Sequence, residues 1–177
     1  KVVRLTRALS NVKTLAVTSY YINLDTVIEL MKCFPCLEKL YLYIKSCISG
    51  KMNRNRWCWN RNISGEMNWW RRKHRDFIKS SDIHLKKIVM TYRGIRSQIN
   101  FASFFLLNAR ELELMRLEVV ASDYNDAFFA EQHRMLQMEK RASRGARLHF
   151  TNKICTHGIH VNHVRDLSVA DPFECRW

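Results

Sequence analysis

Two groups of cysteine and histidine residues have the spacing of metal or redox sites. Cys33 and Cys36 form a C-x-x-C pair, and two thiolates at this spacing can bind zinc or cycle as a disulfide. No second C-x-x-C pair completes a zinc site, and this pair ends a predicted helix, whereas a redox pair would precede one. We therefore interpret both residues as buried structural thiols.

The second group, Cys155, His157, His160 and His163, places four possible ligands within nine residues. Four side chains of these types could together coordinate one Zn²⁺ ion. The alternation of a strand would, however, place these side chains on different faces, and no carboxylate lies beside them to orient the imidazoles. We interpret them as surface residues and expect no metal and no other cofactor.

A basic, tryptophan-rich insertion spans about residues 48–75. Residues 51–75 contain eight Lys or Arg and one acid, so they carry +7 of the net charge of +14. Cationic side chains neutralise phosphates and indole rings stack on unpaired bases, which makes nucleic acid one possible partner. The alternative is a charged loop in solvent, with Trp69 and Trp70 packed on the edge of the fold. The candidate anion or nucleic-acid contacts are Arg54, Arg56, Trp57, Trp59, Trp69, Trp70, Arg71 and Arg72.

Other classes of function lack their motifs. The chain has no G-x-S-x-G, no phosphate-binding glycine loop and no H-E-x-x-H, so we do not expect an enzyme. No apolar run approaches the roughly 20 residues that span a bilayer, so we expect no membrane partner. Six Cys without a secretory signal indicate reduced thiols in the cytoplasm or nucleus. Because the chain begins with Lys1, we expect a longer parent protein.

The elements that would position these residues recur along the chain. The pattern apolar-x-x-apolar-x-apolar begins at Val12, Leu37, Leu85 and Leu112, at spacings of 25, 48 and 27 residues. Leucine-rich repeats have periods of about 20 to 29 residues, each a strand plus a helix. The longer gap contains a duplicated hexapeptide, ISGKMN at 48–53 and ISGEMN at 63–68, which identifies it as an insertion.

The fold class that follows is α/β, a leucine-rich-repeat-like solenoid with parallel strands near 12–17, 37–43, 85–91 and 112–119, and a last strand at Leu148 and Phe150. Helices are predicted from apolar positions three and four residues apart. The first contains Leu24, Val27, Ile28 and Met31 and is capped by Asn23 or Asp25.

Three more helices complete the prediction. A short one lies around 73–79, and one with Phe101, Phe104 and Phe105 on one face has Ser97 or Asn100 as its cap. A turn at Gly94 precedes it. The last helix follows the polar residues 122–126 and extends to Ala142, with Gly145 as its left-handed end.

Longer runs of sequence resemble a known family. Residues 97–119, 131–150 and 164–173 closely resemble the FBD region that closes many plant F-box proteins with leucine-rich repeats, especially those of grasses. Residues 34–40, FPCLEKL, look like the repeat that precedes this region in the family. The resemblance implies a leucine-rich-repeat-like segment at 1–83, with the insertion at about 48–75, and an FBD-like region at 84–177. That region would continue the solenoid and cap it through residues 126–150.

The resemblance also implies a function. The chain would be a protein-recognition module, the substrate-receptor part of an SCF-type E3 ubiquitin ligase in the parent protein. No F-box lies in this chain, so the Skp-type adaptor and the cullin would be held only through an F-box in a missing N-terminal part. The repeats would hold the target protein through exposed strand positions, for which the candidates are Lys39, Tyr41, Lys87 and Arg116. The alternatives are a nucleic-acid-binding module that uses the insertion, and a decoy or relic fragment lacking the F-box.

Overall fold

The computed structural model describes residues 11–19, 23–44, 72–80, 83–119 and 124–152. Within these ranges five strands form one parallel sheet, and each strand pairs with the next strand in the sequence. An α/β fold with parallel strands is thereby confirmed, and its arrangement is compatible with leucine-rich repeats. The strands are β1 (Thr14–Ser19), β2 (Lys39–Ile44), β3 (Lys87–Tyr92), β4 (Leu114–Val119) and β5 (Arg147–Thr151).

The described residues place a helix in every connection between strands. The apolar side chains of these helices share one buried cluster with Leu40, Ile88 and Met115 of the sheet. Tyr41 and Val89 form a separate cluster on the other face, and it contains strand residues alone. The described helices therefore all pack on one side of the sheet. They are α1 (Leu24–Cys33), α2 (Arg75–Ser80), α3 (Arg96–Asn108) and α4 (Asp126–Leu136), with a short 3₁₀ helix at Met138–Lys140.

The register of the sheet aligns the predicted apolar pattern. Because side chains alternate between the faces of a sheet, two rows of apolar residues point toward the helices. One row is Leu15, Leu40, Ile88, Met115 and Leu148, and the next is Val17, Leu42, Met90, Leu117 and Phe150.

The strands begin two residues later than their pattern. Leu37, Leu85 and Leu112 start three copies of the pattern and are almost fully buried, yet each lies before its strand. The reason is that the chain bends just before it enters the sheet. The amides of Glu38 and Lys39 both donate to the Lys13 carbonyl at 2.9 Å, and the same arrangement recurs at β3 and β4.

The helix α1 agrees with its prediction. The Asn23 side chain accepts a hydrogen bond from the Asp25 amide at 2.9 Å, which satisfies one of the free amides at the start of the helix. Its apolar stripe of Leu24, Val27, Ile28 and Met31 is buried.

The start of α3 differs from its prediction. The helix begins at Arg96, after Ile95, so neither Ser97 nor Asn100 is its cap. The Gln98 side chain organises the preceding turn, because its Oε1 accepts from the Arg93 amide at 2.7 Å. Gly94 within that turn has a φ of +67°, a left-handed conformation that glycine adopts without strain.

The end of α4 also differs. Asn125 caps the helix by accepting from the Phe128 amide at 2.9 Å, within the predicted polar stretch. Gln137, with a φ of 50°, ends it in the left-handed region. The helix therefore stops before Ala142, and Gly145 is not its left-handed end. No helix in the described ranges is long and apolar enough to cross a membrane.

Candidate protein-binding face of the sheet

The side of the sheet on which no described helix packs is called here the helix-free face. It carries every second residue of the strands, and all four predicted partner contacts lie on it. Neighbouring strands in a sheet are about 4.8 Å apart, so side chains at matching positions form rows across the face. The rows are Thr14, Lys39, Lys87, Leu114 and Arg147; Ala16, Tyr41, Val89, Arg116 and His149; and Thr18, Tyr43, Thr91, Glu118 and Thr151.

The middle row is buried at its centre, between the half-buried Ala16 and Arg116, whereas His149 at its end is exposed. Tyr41 is 2% exposed and Val89 is 1% exposed, so the expectation that Tyr41 is an exposed contact is wrong. Its ring packs with Val89, and the Lys87 ammonium lies 5.5 Å from the ring centroid, a cation–π distance. The Tyr41 ring therefore lies beneath the Lys87 ammonium and stabilises its positive charge.

Arg116 is paired within the face. Its Nη2 lies 3.3 Å from Oε1 of Glu118 on the same strand. Glu118 is 6% exposed, and a carboxylate that is buried to this degree requires a cationic neighbour. Arg116 thus serves first to neutralise Glu118.

The row nearest the strand starts is basic. Lys39 and Lys87 are register partners on β2 and β3, and Arg147 lies two strands beyond Lys87. The two lysines are partly exposed and Arg147 is exposed. These three residues are called here the basic row. Arg147 was not predicted as a contact, although the alternation of Leu148 and Phe150 already places it on the face opposite the core.

One residue before the basic row, the charges alternate in sign. Lys13 Nζ lies 3.0 Å from Oε1 of Glu38, and Lys86 Nζ lies 3.4 Å from Oε2 of the same carboxylate. The hydrogen bond with Lys13, assisted by Lys86, lowers the pKa of Glu38, and the same bond raises the pKa of Lys13. Lys13, Glu38 and Lys86 are called here the charge ladder.

A second charged cluster joins α1 to the residues before α2. Asp25 Oδ1 lies 2.6 Å from Nε2 of His74, and its Oδ2 lies 2.6 Å from Nζ of Lys73. Burial of Asp25 disfavours its charged form, but the hydrogen bonds from Lys73 and His74 outweigh burial and hold the pKa of this carboxyl below its ordinary value. His74 is 6% exposed, so the cluster anchors the C-terminal end of the insertion to α1. No pattern in the sequence indicates this pair, whose members are 49 residues apart.

Most of the predicted nucleic-acid contacts fall outside the described residues. Arg72 is described and exposed, next to Lys73 of the charged cluster. The others, Arg54, Arg56, Trp57, Trp59, Trp69, Trp70 and Arg71, lie outside the described ranges, as do Cys155, His157, His160 and His163.

Neither thiol of the C-x-x-C pair is buried as expected, because Cys33 is half-buried and Cys36 is exposed. Both thiols are free, and Cys33 Sγ donates to the Glu29 carbonyl at 3.4 Å within α1. Cys36 is exposed, so its interpretation as a buried thiol is wrong. The reason is its place in the turn after α1, next to the exposed Pro35. Across the described ranges, no three His, Cys, Asp or Glu side chains form a group able to hold a metal ion.

Comparison with known proteins gives one similarity. Residues 1–42 match the family described as "FBD-associated F-box protein At5g56370, LRR repeats". The described part of this match contains β1, α1 and the first four residues of β2. No curated protein and no solved structure matches the chain. The similarity supports a leucine-rich-repeat region of the kind found in F-box proteins, which suggests a protein-interaction module.

Proposed function

We propose that this chain is a protein-recognition module and that, in its parent protein, it is the substrate-receptor part of an SCF-type E3 ubiquitin ligase. The observation that carries the proposal is the sheet itself. Its strands follow one another in parallel with a helix in each described connection, and the start of the chain is similar to the repeats of an F-box protein family. The helix-free face extends from β1 to β5, and Lys39, Lys87 and Arg147 are exposed or partly exposed on it.

The mechanism that we propose is positional. The module forms no bond with its target and instead holds the target beside the enzyme that transfers ubiquitin. Tethering raises the effective concentration of a target lysine near that enzyme, up to the millimolar range for short linkers. The face suits this role because its side chains project from a hydrogen-bonded sheet, and a surface held by rigid elements loses little conformational entropy when a partner binds.

The first experiment tests attachment to the ligase. The product of the complete native transcript is expressed with an affinity tag, and capture of a Skp-type adaptor is measured with purified components. The proposal expects stoichiometric capture by the complete product and none by residues 1–177 alone. A complete product that fails to capture the adaptor would contradict the ligase assignment.

The second experiment tests recognition by the helix-free face. Proteins crosslinked to the complete product are compared with those crosslinked to a Lys39→Glu/Lys87→Glu variant. A matched control reverses Lys32 and Arg96, which lie on α1 and α3. We expect the face variant to lose its crosslinked targets and keep the adaptor, while the control keeps both. Equal target capture by all three proteins would contradict recognition through this face.

A further inference from the structure

We propose that residues 164–169 of this chain dock in parallel along the outer edge of β5 and add a sixth strand to the sheet. The edge belongs to the described residues, whereas the segment lies within 153–177, outside the described ranges, and follows directly from the end of β5. A sixth strand would extend the helix-free face beyond the surface used in the proposed function, and it does not depend on that function.

The outer edge of β5 has the geometry of a strand acceptor. In the described part of the chain β5 pairs on one side, with β4. The Arg147 amide donates to the Glu113 carbonyl on that side at 2.9 Å, so by alternation the amides of Leu148 and Phe150 point outward. The Phe150 carbonyl, on the outer side, accepts from the Tyr124 hydroxyl at 3.5 Å, a long hydrogen bond. Such an edge is a template for a further strand.

The side chains of β5 that face the helices are less buried than those of the neighbouring strand. Met115 and Leu117 on β4 are 0% exposed, whereas their register partners Leu148 and Phe150 are half-buried. The Phe129 ring, stacked on Phe150 with the ring centroids 4.9 Å apart, is also half-buried. Leu148, Phe150 and Phe129 are called here the apolar strip. A further strand with apolar residues at matching positions would remove this strip from water, which favours docking.

The apolar pattern of the strands occurs again after β5. Val164, Leu167 and Val169 have the spacing apolar-x-x-apolar-x-apolar. The sheet aligns the fourth and sixth positions of this pattern from each strand to the next. Applied to the segment, this alignment pairs Leu167 with Leu148 and Val169 with Phe150. The apolar side chains of the segment would then cover the apolar strip.

The same register brings opposite charges together on the helix-free face. It places Asp166 beside Arg147, which is exposed at the start of β5. The register partner of Arg147 on β4 is the uncharged Leu114. Opposite charges at directly neighbouring sheet positions are stabilising. A shift by one residue would lose this pair and would turn Leu167 and Val169 away from the core, so charge and burial select one register.

The chain between the two strands is long enough for a crossover. Residues 152–165, which separate Thr151 from Asp166, number 14, and a connection between parallel strands needs about a dozen or more. An extended chain of this length reaches about 46 Å. The five residues of β5 that it has to retrace span only about 17 Å. The segment can therefore begin beside the start of β5, as each earlier strand begins beside its predecessor.

The first test joins the two strands by a disulfide in the full 177-residue chain. The proposed register makes His149 and Ser168 partners, with Cα atoms about 4.8 Å apart, and a disulfide spans Cα distances of about 4.4 to 6.8 Å. The test variant is His149→Cys/Ser168→Cys. The matched control is His149→Cys/Val169→Cys, in which the second side chain faces the core. Both variants carry Cys155→Ser/Cys175→Ser, and mass spectrometry of digested, oxidised protein identifies the joined peptides.

We expect the test variant to form the crosslink within one chain and the control to form at least about tenfold less, because thiols that point apart cannot be joined without backbone movement. Equal crosslinking in the two variants, or none in either, would overturn the inference, since the segment would then hold no fixed register on β5. A crosslink between two chains, seen as a dimer on a non-reducing gel, would overturn it in favour of a second copy at this edge.

The second test measures amide hydrogen exchange and needs no new cysteine. The disrupting variant is Leu167→Asp/Val169→Asp, which places charge at the two positions that would cover the apolar strip. The matched control is Asn162→Asp/His163→Asp, which adds the same negative charge within the connection. Both variants keep all 177 residues.

We expect the outward amides of Leu148 and Phe150 to exchange at least about tenfold faster in the disrupting variant than in the unaltered chain, because their hydrogen bonds to the sixth strand would be lost. The control should stay within about twofold of the unaltered chain. The Arg147 amide, bonded to β4, is the internal reference, and its continued protection shows that the rest of the sheet is folded. Equal exchange of the two outward amides in all three proteins would overturn the inference.

Discussion

At the scale of single residues, Asp25 holds two partners of unequal burial. His74 is 6% exposed, whereas the Lys73 side chain is 42% exposed. We expect Asp25→Ala to lower the free energy of unfolding by about 1 to 3 kcal/mol, because it leaves a buried imidazole without its acceptor. Lys73→Met should cost less than about 1 kcal/mol, as exposed ion pairs do. Denaturant titration compares the two, and equal losses would contradict the greater weight assigned to His74.

The same carboxylate predicts a dependence on pH. Because Asp25 has a pKa below its ordinary 3.8 in the folded chain, its stabilising contribution is complete above pH values of about 4. It is lost as the pH falls through the lowered pKa, since protonation then favours the unfolded chain. The unaltered chain should therefore lose stability more steeply than Asp25→Ala in this acidic range. Parallel stability curves for the two proteins would refute the prediction.

The ion pairs of the charge ladder predict how stability responds when the charge of Glu38 is reversed. Glu38→Lys would place three lysines side by side at positions 13, 38 and 86, where two nitrogen–oxygen contacts now exist. We expect the melting temperature to fall, and the fall to shrink in 1 M salt, where the Debye length is only about 3 Å. Glu38→Gln is the matched control and should have a smaller, less salt-dependent effect. A fall in melting temperature that is the same at low and high salt would indicate disturbed packing and not charge repulsion.

At the scale of elements, the turn between β3 and α3 fits closely against α4. A Cβ atom on Gly94 would lie 2.9 Å from Cε2 of Phe128 and 3.1 Å from Gln132, at a φ of +67°. We expect Gly94→Ala to cost about 1 to 3 kcal/mol through this strain. Gly145→Ala meets no atom within 4 Å and should be neutral or stabilising by up to about 1 kcal/mol. Thermal melts of both variants check the contrast, which equal stabilities would contradict.

The elements themselves were largely predictable from the sequence. Period-two apolar positions located four strands to within two residues, and the spacing of Leu24, Val27, Ile28 and Met31 located α1. Burial on one side imposes these periods directly, so they are visible without tertiary information. Helix ends were less predictable. Gln137 adopts the left-handed conformation that favours glycine, and no local pattern marks it.

The sequence predicted on which face of the sheet the candidate residues lie, but not how exposed each of them is. Lys39, Tyr41, Lys87 and Arg116 share one face because alternation in a strand fixes the face of each residue. Whether a residue on that face is exposed depends on neighbours from other strands. Tyr41 is buried beside Val89, which lies 48 positions away in the chain. The repeat spacing of 48 residues already places these two positions side by side, but it does not indicate how far neighbouring side chains bury them.

At the scale of the whole molecule, the connections between consecutive strands differ in length. The connection from Ile44 to Lys87 contains 42 residues, and the one from Val119 to Arg147 contains 27. Deleting residues 49–63 removes one copy of the duplicated hexapeptide and makes the two lengths equal. The entropy of closing the shorter connection changes stability by only about 0.4 kcal/mol. We expect denaturant titration to show a change of about this size, and a loss above about 1 kcal/mol would show that the deleted residues stabilise the fold.

The pairing of each strand with its neighbour in sequence has a consequence for the history of the protein. In a sheet of this order, added sequence between two strands lengthens one connection and leaves the order of every other pairing unchanged. The entropic free energy of closing a connection grows only with the logarithm of its number of residues. A duplication between β2 and β3 therefore costs little stability, and selection need not remove it at once. His74, anchored to Asp25 at 2.6 Å, returns the chain to the helical side afterwards. New sequence can therefore be added between β2 and β3 while the order of the strands in the sheet stays the same.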